Sequence, residues 1–198
     1  MRKEDTYPFL LRVAIPEVRE RRKLPTRASE PNLIWDAIYR AHRDVLTGRQ
    51  YVAEYSKERG PYGGQPGKGV NRVAEDLYNM VIELNSGELI TSAGAIAQLS
   101  KRFPNVKLGA IQKLVNMSLK YLVILQTFGL IGAYVDEAKC DCPIDSVILA
   151  KLAKSHPEFA GIKWTSIEAP EVYERIQQAI DHEPGIRTRL MYDFKNWQ

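Results

Sequence analysis

The sequence predicts an all-α protein. Three observations carry that expectation. Apolar residues recur every three or four positions in one segment after another, the spacing of a helix with one buried face. Helix-starting and helix-stopping residues bracket those segments. No alternating apolar and polar stretch of useful length occurs beyond residues 7–15, so strands have little support.

Taken in order, residues 1–30 read as an irregular or extended arm, with Tyr7-Pro8-Phe9-Leu10-Leu11 apolar and Arg19, Arg21, Arg22, Lys23 and Arg27 forming a basic run. Ser29 suits an N-cap ahead of Pro31, because proline is tolerated where the first-turn amides have no acceptor. Leu33, Ile34, Ala37, Ile38, Ala41 and Val45 then define a helix up to Gly48. Residues 60–69 hold five of the thirteen glycines and read as a flexible loop separating the first helical section from the rest. Val73, Leu77, Met80, Val81 and Leu84 mark the next amphipathic helix, stopped by Asn85-Ser86-Gly87. Another helix runs from Ser92 to Phe103 and ends at Pro104. The central helix spans Leu108 to about Phe128. Asp145 precedes a helix through Lys154, Pro170 opens one through His182, and Leu190, Tyr192, Phe194 and Trp197 form a last amphipathic segment.

With 198 residues, 44% hydrophobic and 26% charged, the chain is expected to form one soluble domain spanning 1–198. A net charge of +4 favours a polyanionic partner. Cys140 and Cys142 are too close for an ordinary disulfide, which points to a reducing, cytoplasmic setting. The first residues lack the apolar run of a signal peptide. Leu114–Ile131 is interrupted by Asn116, Lys120 and Gln126, so a buried helix is expected and no membrane partner. His42, His156 and His182 stand apart from each other and from the cysteines, so no metal site is expected. Gly67-Lys68-Gly69 fails as a phosphate-binding loop: Tyr62 stands where that motif needs glycine, and Gly69 where it needs a hydroxyl.

Residues 103–155 concentrate the chemistry. The tight connection Pro104-Asn105-Val106-Lys107 leads into the central helix, whose first amides and dipole would favour a phosphate. Asn105, Val106, Lys107 and Gly109 are therefore candidate DNA contacts, together with Arg21, Arg22 and Lys23 of the arm. A plain helical hairpin is the alternative. Lys113 lies on an otherwise apolar helix, where desolvation favours the neutral amine and so a nucleophile; its alternative is a stem that snorkels to solvent. Asp145 follows 32 residues later, ahead of Ser146-Val147-Ile148-Leu149, where a carboxylate makes a favourable N-cap. A capping carboxylate held rigidly in its charged form is compatible with catalysis.

Pro104, Lys113-Leu114-Val115-Asn116, Tyr121 and Cys142-Pro143-Ile144-Asp145 together resemble the helix-hairpin-helix DNA glycosylase superfamily, most closely its archaeal-type 8-oxoguanine glycosylase branch. The resemblance covers about 50 of 198 residues. It implies a two-lobed helical fold with a helix-hairpin-helix element, Lys113 at the catalytic lysine position and Asp145 at the catalytic aspartate position. The hairpin departs from the family, because Phe103–Gly109 lacks the paired glycines of the commoner form. The implied activity is removal of a modified or damaged base from double-stranded DNA by a cofactor-free monomer in DNA repair. The target nucleotide is flipped out, and a lysine Schiff base allows β-elimination. Trp35, Trp164 and Trp197 are candidates for stacking on the flipped base, with core packing as the alternative for each. Two further readings stay open. One is a phage-defence glycosylase acting on hypermodified cytosine, such as glucosylated hydroxymethylcytosine. The other is a non-catalytic helical DNA-binding or interaction protein.

Overall fold

The computed structural model describes residues 30–46, 53–58 and 71–196. The basic run with Arg21, Arg22 and Lys23, the glycine-rich loop at 60–69, and Trp197 lie outside the described residues. Within them the fold is all-α, with helices α1 (Glu30–Leu46), α2 (Ala53–Lys57), α3 (Arg72–Ile82), α4 (Ser92–Arg102), α5 (Leu108–Thr127), α6 (Ser146–Leu152), α7 (Pro170–Asp181) and α8 (Arg189–Asn196). Short 3-10 turns occur at Glu137–Lys139, Pro157–Phe159 and Trp164–Ser166. An isolated parallel bridge joins Ile90 and Val135.

Helix α5 organises the molecule. Every residue from Leu108 to Leu125 is buried, because other elements cover it on all sides. By length and composition α5 could cross a membrane, yet its apolar window is wholly enclosed, as in a core helix. Helix α1 lies along it, α4 reaches it through the 103–107 turn, and the Trp164–Ser166 turn docks near its start. Helices α1 and α5 run antiparallel. Glu30 at the start of α1 accepts from the Gly132 amide beyond the end of α5, whereas Asp44 near the end of α1 accepts from Tyr121 Oη at 2.7 Å.

The apolar spacing read from the sequence forms the buried face of α1: Leu33, Ile34, Ala37, Ile38, Ala41 and Val45. Capping fixes the other boundaries. Asn71 accepts from the Val73 amide at the start of α3, and Thr91 from the Gly94 amide at the start of α4. Helix α5 stops at Gly129, whose φ of 68° suits a residue without a side chain. Pro170 opens α7. The short helix α2 has no counterpart in the sequence reading.

Between the Glu137–Lys139 turn and α6, the buried residues 141–144 form a non-helical segment tied to Gln112 of α5 and Gln177 of α7. This segment delivers Asp145.

Candidate active site

Gly109 sets the geometry at the start of α5. A Cβ there would sit 1.9 Å from the Trp164 carbonyl oxygen, so the 164–167 backbone packs where only glycine leaves room. The Gly109 amide donates to Ile167 O at 2.8 Å, locking that contact. One helical turn on, Lys113 projects from the same face of α5, and its Nζ lies 4.4 Å from the centroid of the Trp164 ring. Trp164 is 8% exposed and Lys113 7%. The amine makes no hydrogen bond and no ion pair among the described residues; the ring face is its neighbour.

Burial pushes the Lys113 ammonium below the ordinary lysine value of 10.5. Opposing this are carboxylates from three elements: Asp145 with the largest effect, then Asp44 on α1 and Asp193 on α8. Lys120 adds to the lowering. Desolvation wins, so a larger share of Lys113 is neutral amine than for a solvated lysine.

Asp145 is the N-cap of α6. Its Oδ1 accepts from both Val147 N at 2.9 Å and Ile148 N at 3.0 Å. Oδ2 makes no hydrogen bond among the described residues, so one oxygen anchors the carboxylate while the other stays available. The capping and electrostatic readings of Asp145 thus coexist in one side chain.

The residues ahead of Asp145 are held by buried amides. Gln177 accepts from Cys142 N at 3.0 Å and donates to Cys142 O at 2.7 Å. Gln112 accepts from Ile144 N at 3.1 Å and donates to Ile144 O at 2.8 Å. Asn116 donates to Tyr173 Oη at 2.8 Å, and Tyr173 donates to Asp141 Oδ2 at 2.7 Å. Two turns along α5 from Lys113, Lys120 forms an ion pair with Asp193 of α8, the two side chains 0% and 1% exposed. Burial pushes the Asp193 carboxyl up, and the Lys120 ammonium opposes that rise. Sequence reasoning missed all of these groups as site residues. The available signal was polar side chains (Gln112, Asn116 and Lys120) interrupting the most apolar helix of the chain.

The hairpin differs from expectation. Val106 is buried and its amide donates to Phe103 O at 2.9 Å, so neither side chain nor amide faces outward. The amides of Gly109, Ala110 and Ile111 are also taken, by Ile167 O and Lys107 O. Val106 and Gly109 are therefore packing residues, not phosphate ligands. Lys107 is half-exposed and pairs with Glu168 at 2.6 Å, which offsets its charge, and Asn105 is exposed on the turn.

Of the described tryptophans, Trp164 joins Lys113. Trp35 does not: it packs edge-on against Tyr78, 5.2 Å between centroids, on the N-terminal half of α1. Because α1 and α5 are antiparallel, this lies toward the far end of α5, and Trp35 is a packing residue. An open cavity of about 460 Å³, lined by Thr91, Asp141, Arg187 and Arg189 among others, includes neither Lys113 nor Asp145. Among the described residues no cluster of three or more histidine, cysteine, aspartate or glutamate side chains is arranged to hold a metal ion.

Comparison with protein-family models, with curated proteins and with solved structures returned no match for this chain.

Proposed function

We propose that this protein is a DNA glycosylase that removes a modified base from double-stranded DNA, with Lys113 as nucleophile and Asp145 as the electrostatic partner. One observation carries the reading. Lys113 is a buried side chain whose amine has no acceptor among the described residues and is pushed toward its neutral form, and its strongest electrostatic neighbour is a carboxylate held rigid by two backbone amides. A structural lysine of this depth is expected to have a paired charge, as Lys120 does.

The chemistry suits N-glycosidic cleavage. As the C1′–N bond breaks, its electron pair leaves with the base and positive charge builds on the sugar. The Asp145 carboxylate stabilises that charge, an effect felt mainly in the transition state. The neutral Lys113 nitrogen donates its lone pair to C1′. Loss of protons from nitrogen and opening of the C1′–O4′ bond, with a proton taken up on O4′, give a Schiff base. Removal of a C2′ proton then expels the 3′ phosphate, so strand cleavage accompanies base loss. The target nucleotide must leave the duplex stack to reach an amine this deep.

Base release from a panel of duplexes, each carrying one oxidised, alkylated, deaminated or glucosylated base, tests the reading. The expected result is release from at least one duplex and loss of that release with Lys113→Gln. No release from any duplex by folded protein would contradict it.

A further inference from the structure

Residues 141–144 are buried and neither helical nor paired with a strand among the described residues. Their backbone polar groups therefore need partners from elsewhere, since an unpaired buried amide or carbonyl is destabilising. Two glutamines supply most of them. Gln177 takes both the N–H and the C=O of Cys142, and Gln112 takes both groups of Ile144. Each side-chain amide thus does what a neighbouring strand's peptide would do. Pro143, between the two clamped residues, has no N–H to satisfy, and the Asp141 amide is taken by Ser92 Oγ at 2.8 Å.

The two glutamines differ in where they lead. Gln177 stands on α7 and fixes the segment from outside. Gln112 stands on α5, next to Lys113, and grips Ile144, next to Asp145. The contact joins residues 32 apart in sequence, the same interval that separates Lys113 from Asp145. A third bond from Gln112 Nε2 to Gly109 O at 3.0 Å ties the glutamine to its own helix and restricts its rotamer. Asn116, one turn further along α5, also donates to Cys142 O at 3.4 Å, but among the described residues Gln112 is the α5 side chain that grips Ile144, the residue before Asp145.

We infer that Gln112 is a positioning residue that sets the spacing between the Lys113 amine and the Asp145 carboxylate, with Gln177 as the second anchor of the same segment. Its catalytic meaning rests on the glycosylase reading, but its geometric content does not, and the two can be tested apart.

The test is the titration of Lys113 in the free protein, followed by NMR of its labelled side chain. The charges facing that amine are Asp145 at the start of α6, Asp44 on α1, Asp193 on α8 and Lys120 on α5. Asp145→Asn removes the strongest support for the ammonium and so lowers the Lys113 pKa further. Gln112→Met keeps size and apolar stem but drops the hydrogen bonds to Ile144, Gly109 and Asn116, so Asp145 drifts from its place. It is expected to lower the Lys113 pKa in the same direction, by a smaller amount than Asp145→Asn. In the double variant the two shifts do not add, because the glutamine acts through the aspartate. A shift that is absent in Gln112→Met, or that adds in full to that of Asp145→Asn, overturns the inference.

If Gln112→Met does not fold, Gln177→Met gives the same reading, with a smaller shift of the same sign expected and no shift overturning it. Should base release prove undetectable in the wild-type protein, the glycosylase reading fails while this titration still decides the positioning.

Discussion

Gly109→Ala isolates the contact on which the Lys113 environment depends. The added Cβ falls 1.9 Å from Trp164 O and 3.0 Å from Trp164 C, both backbone atoms. To bring the oxygen out to 3.0 Å, the turn must retreat by 1.1 Å (3.0 − 1.9). That movement stretches the Gly109 N–H bond to Ile167 O, 2.8 Å at present, beyond useful range, which removes about 1 kcal/mol. Overpacking adds about 1–3 kcal/mol, and the better helix propensity of alanine returns about 1 kcal/mol. The balance is a loss of roughly 1–3 kcal/mol, or a fall in Tm of about 5 °C for a chain of this length. Urea unfolding and a thermal scan read the stability. The Lys113 titration reads the site: lifting Trp164 admits water, and because burial is the main cause of the lowered pKa, the value should rise toward 10.5. A variant as stable as the parent, or more stable, with an unmoved Lys113 titration would refute the reasoning.

Lys120→Met or Asp193→Leu alone should cost about 3–5 kcal/mol, since each strands a fully buried charge, whereas the double variant should recover most of that loss; denaturant unfolding of the three variants decides it. His42 is held neutral by burial, which lowers its pKa from 6.5 to about 4, and it lies 2.7 Å from Tyr55 Oη. The unfolded chain therefore binds the extra proton first, so stability is full above pH 6.5 and is lost as pH falls toward 4, by about 3 kcal/mol in all; His42→Leu should flatten that slope in unfolding curves. Asp145→Asn keeps an oxygen able to accept the Val147 and Ile148 amides, so stability should change by less than about 1 kcal/mol, while single-turnover base release should slow by roughly 10²-fold. A large loss of stability with base release unimpaired would make Asp145 a cap alone.

The helical spacing of Leu33 through Val45, the stops at Asn85-Ser86-Gly87 and Pro104, and the cap at Asp145 were legible because each is decided by residues near in sequence. The Lys113 environment was legible in outline, since a lone charge on an apolar helix must be desolvated, snorkelling or paired. Its neighbours were not, because Trp164 and Asp193 reach α5 from elements 51 and 80 residues further along the chain (164 − 113 and 193 − 113). Gly109 shows the limit most plainly. A glycine at a helix start signals that something approaches the backbone closely, and sequence cannot tell a phosphate from the Trp164 carbonyl. Gln112, Asn116 and Gln177 were equally silent about what they hold: a buried amide announces that it needs partners, but most of these are backbone groups that any residue could provide, and Tyr173 lies 57 residues beyond Asn116.

Covalent trapping tests the central claim most directly. The protein is incubated with borohydride and duplexes carrying either a modified base or a single abasic site. The protein–DNA adduct is then digested and its attachment point read by mass spectrometry. A lysine nucleophile predicts an adduct on Lys113, favoured as pH rises through a Lys113 pKa that lies below 10.5, and absent with Lys113→Gln. An adduct mapping to another residue, or trapping that persists undiminished in Lys113→Gln, would contradict the account.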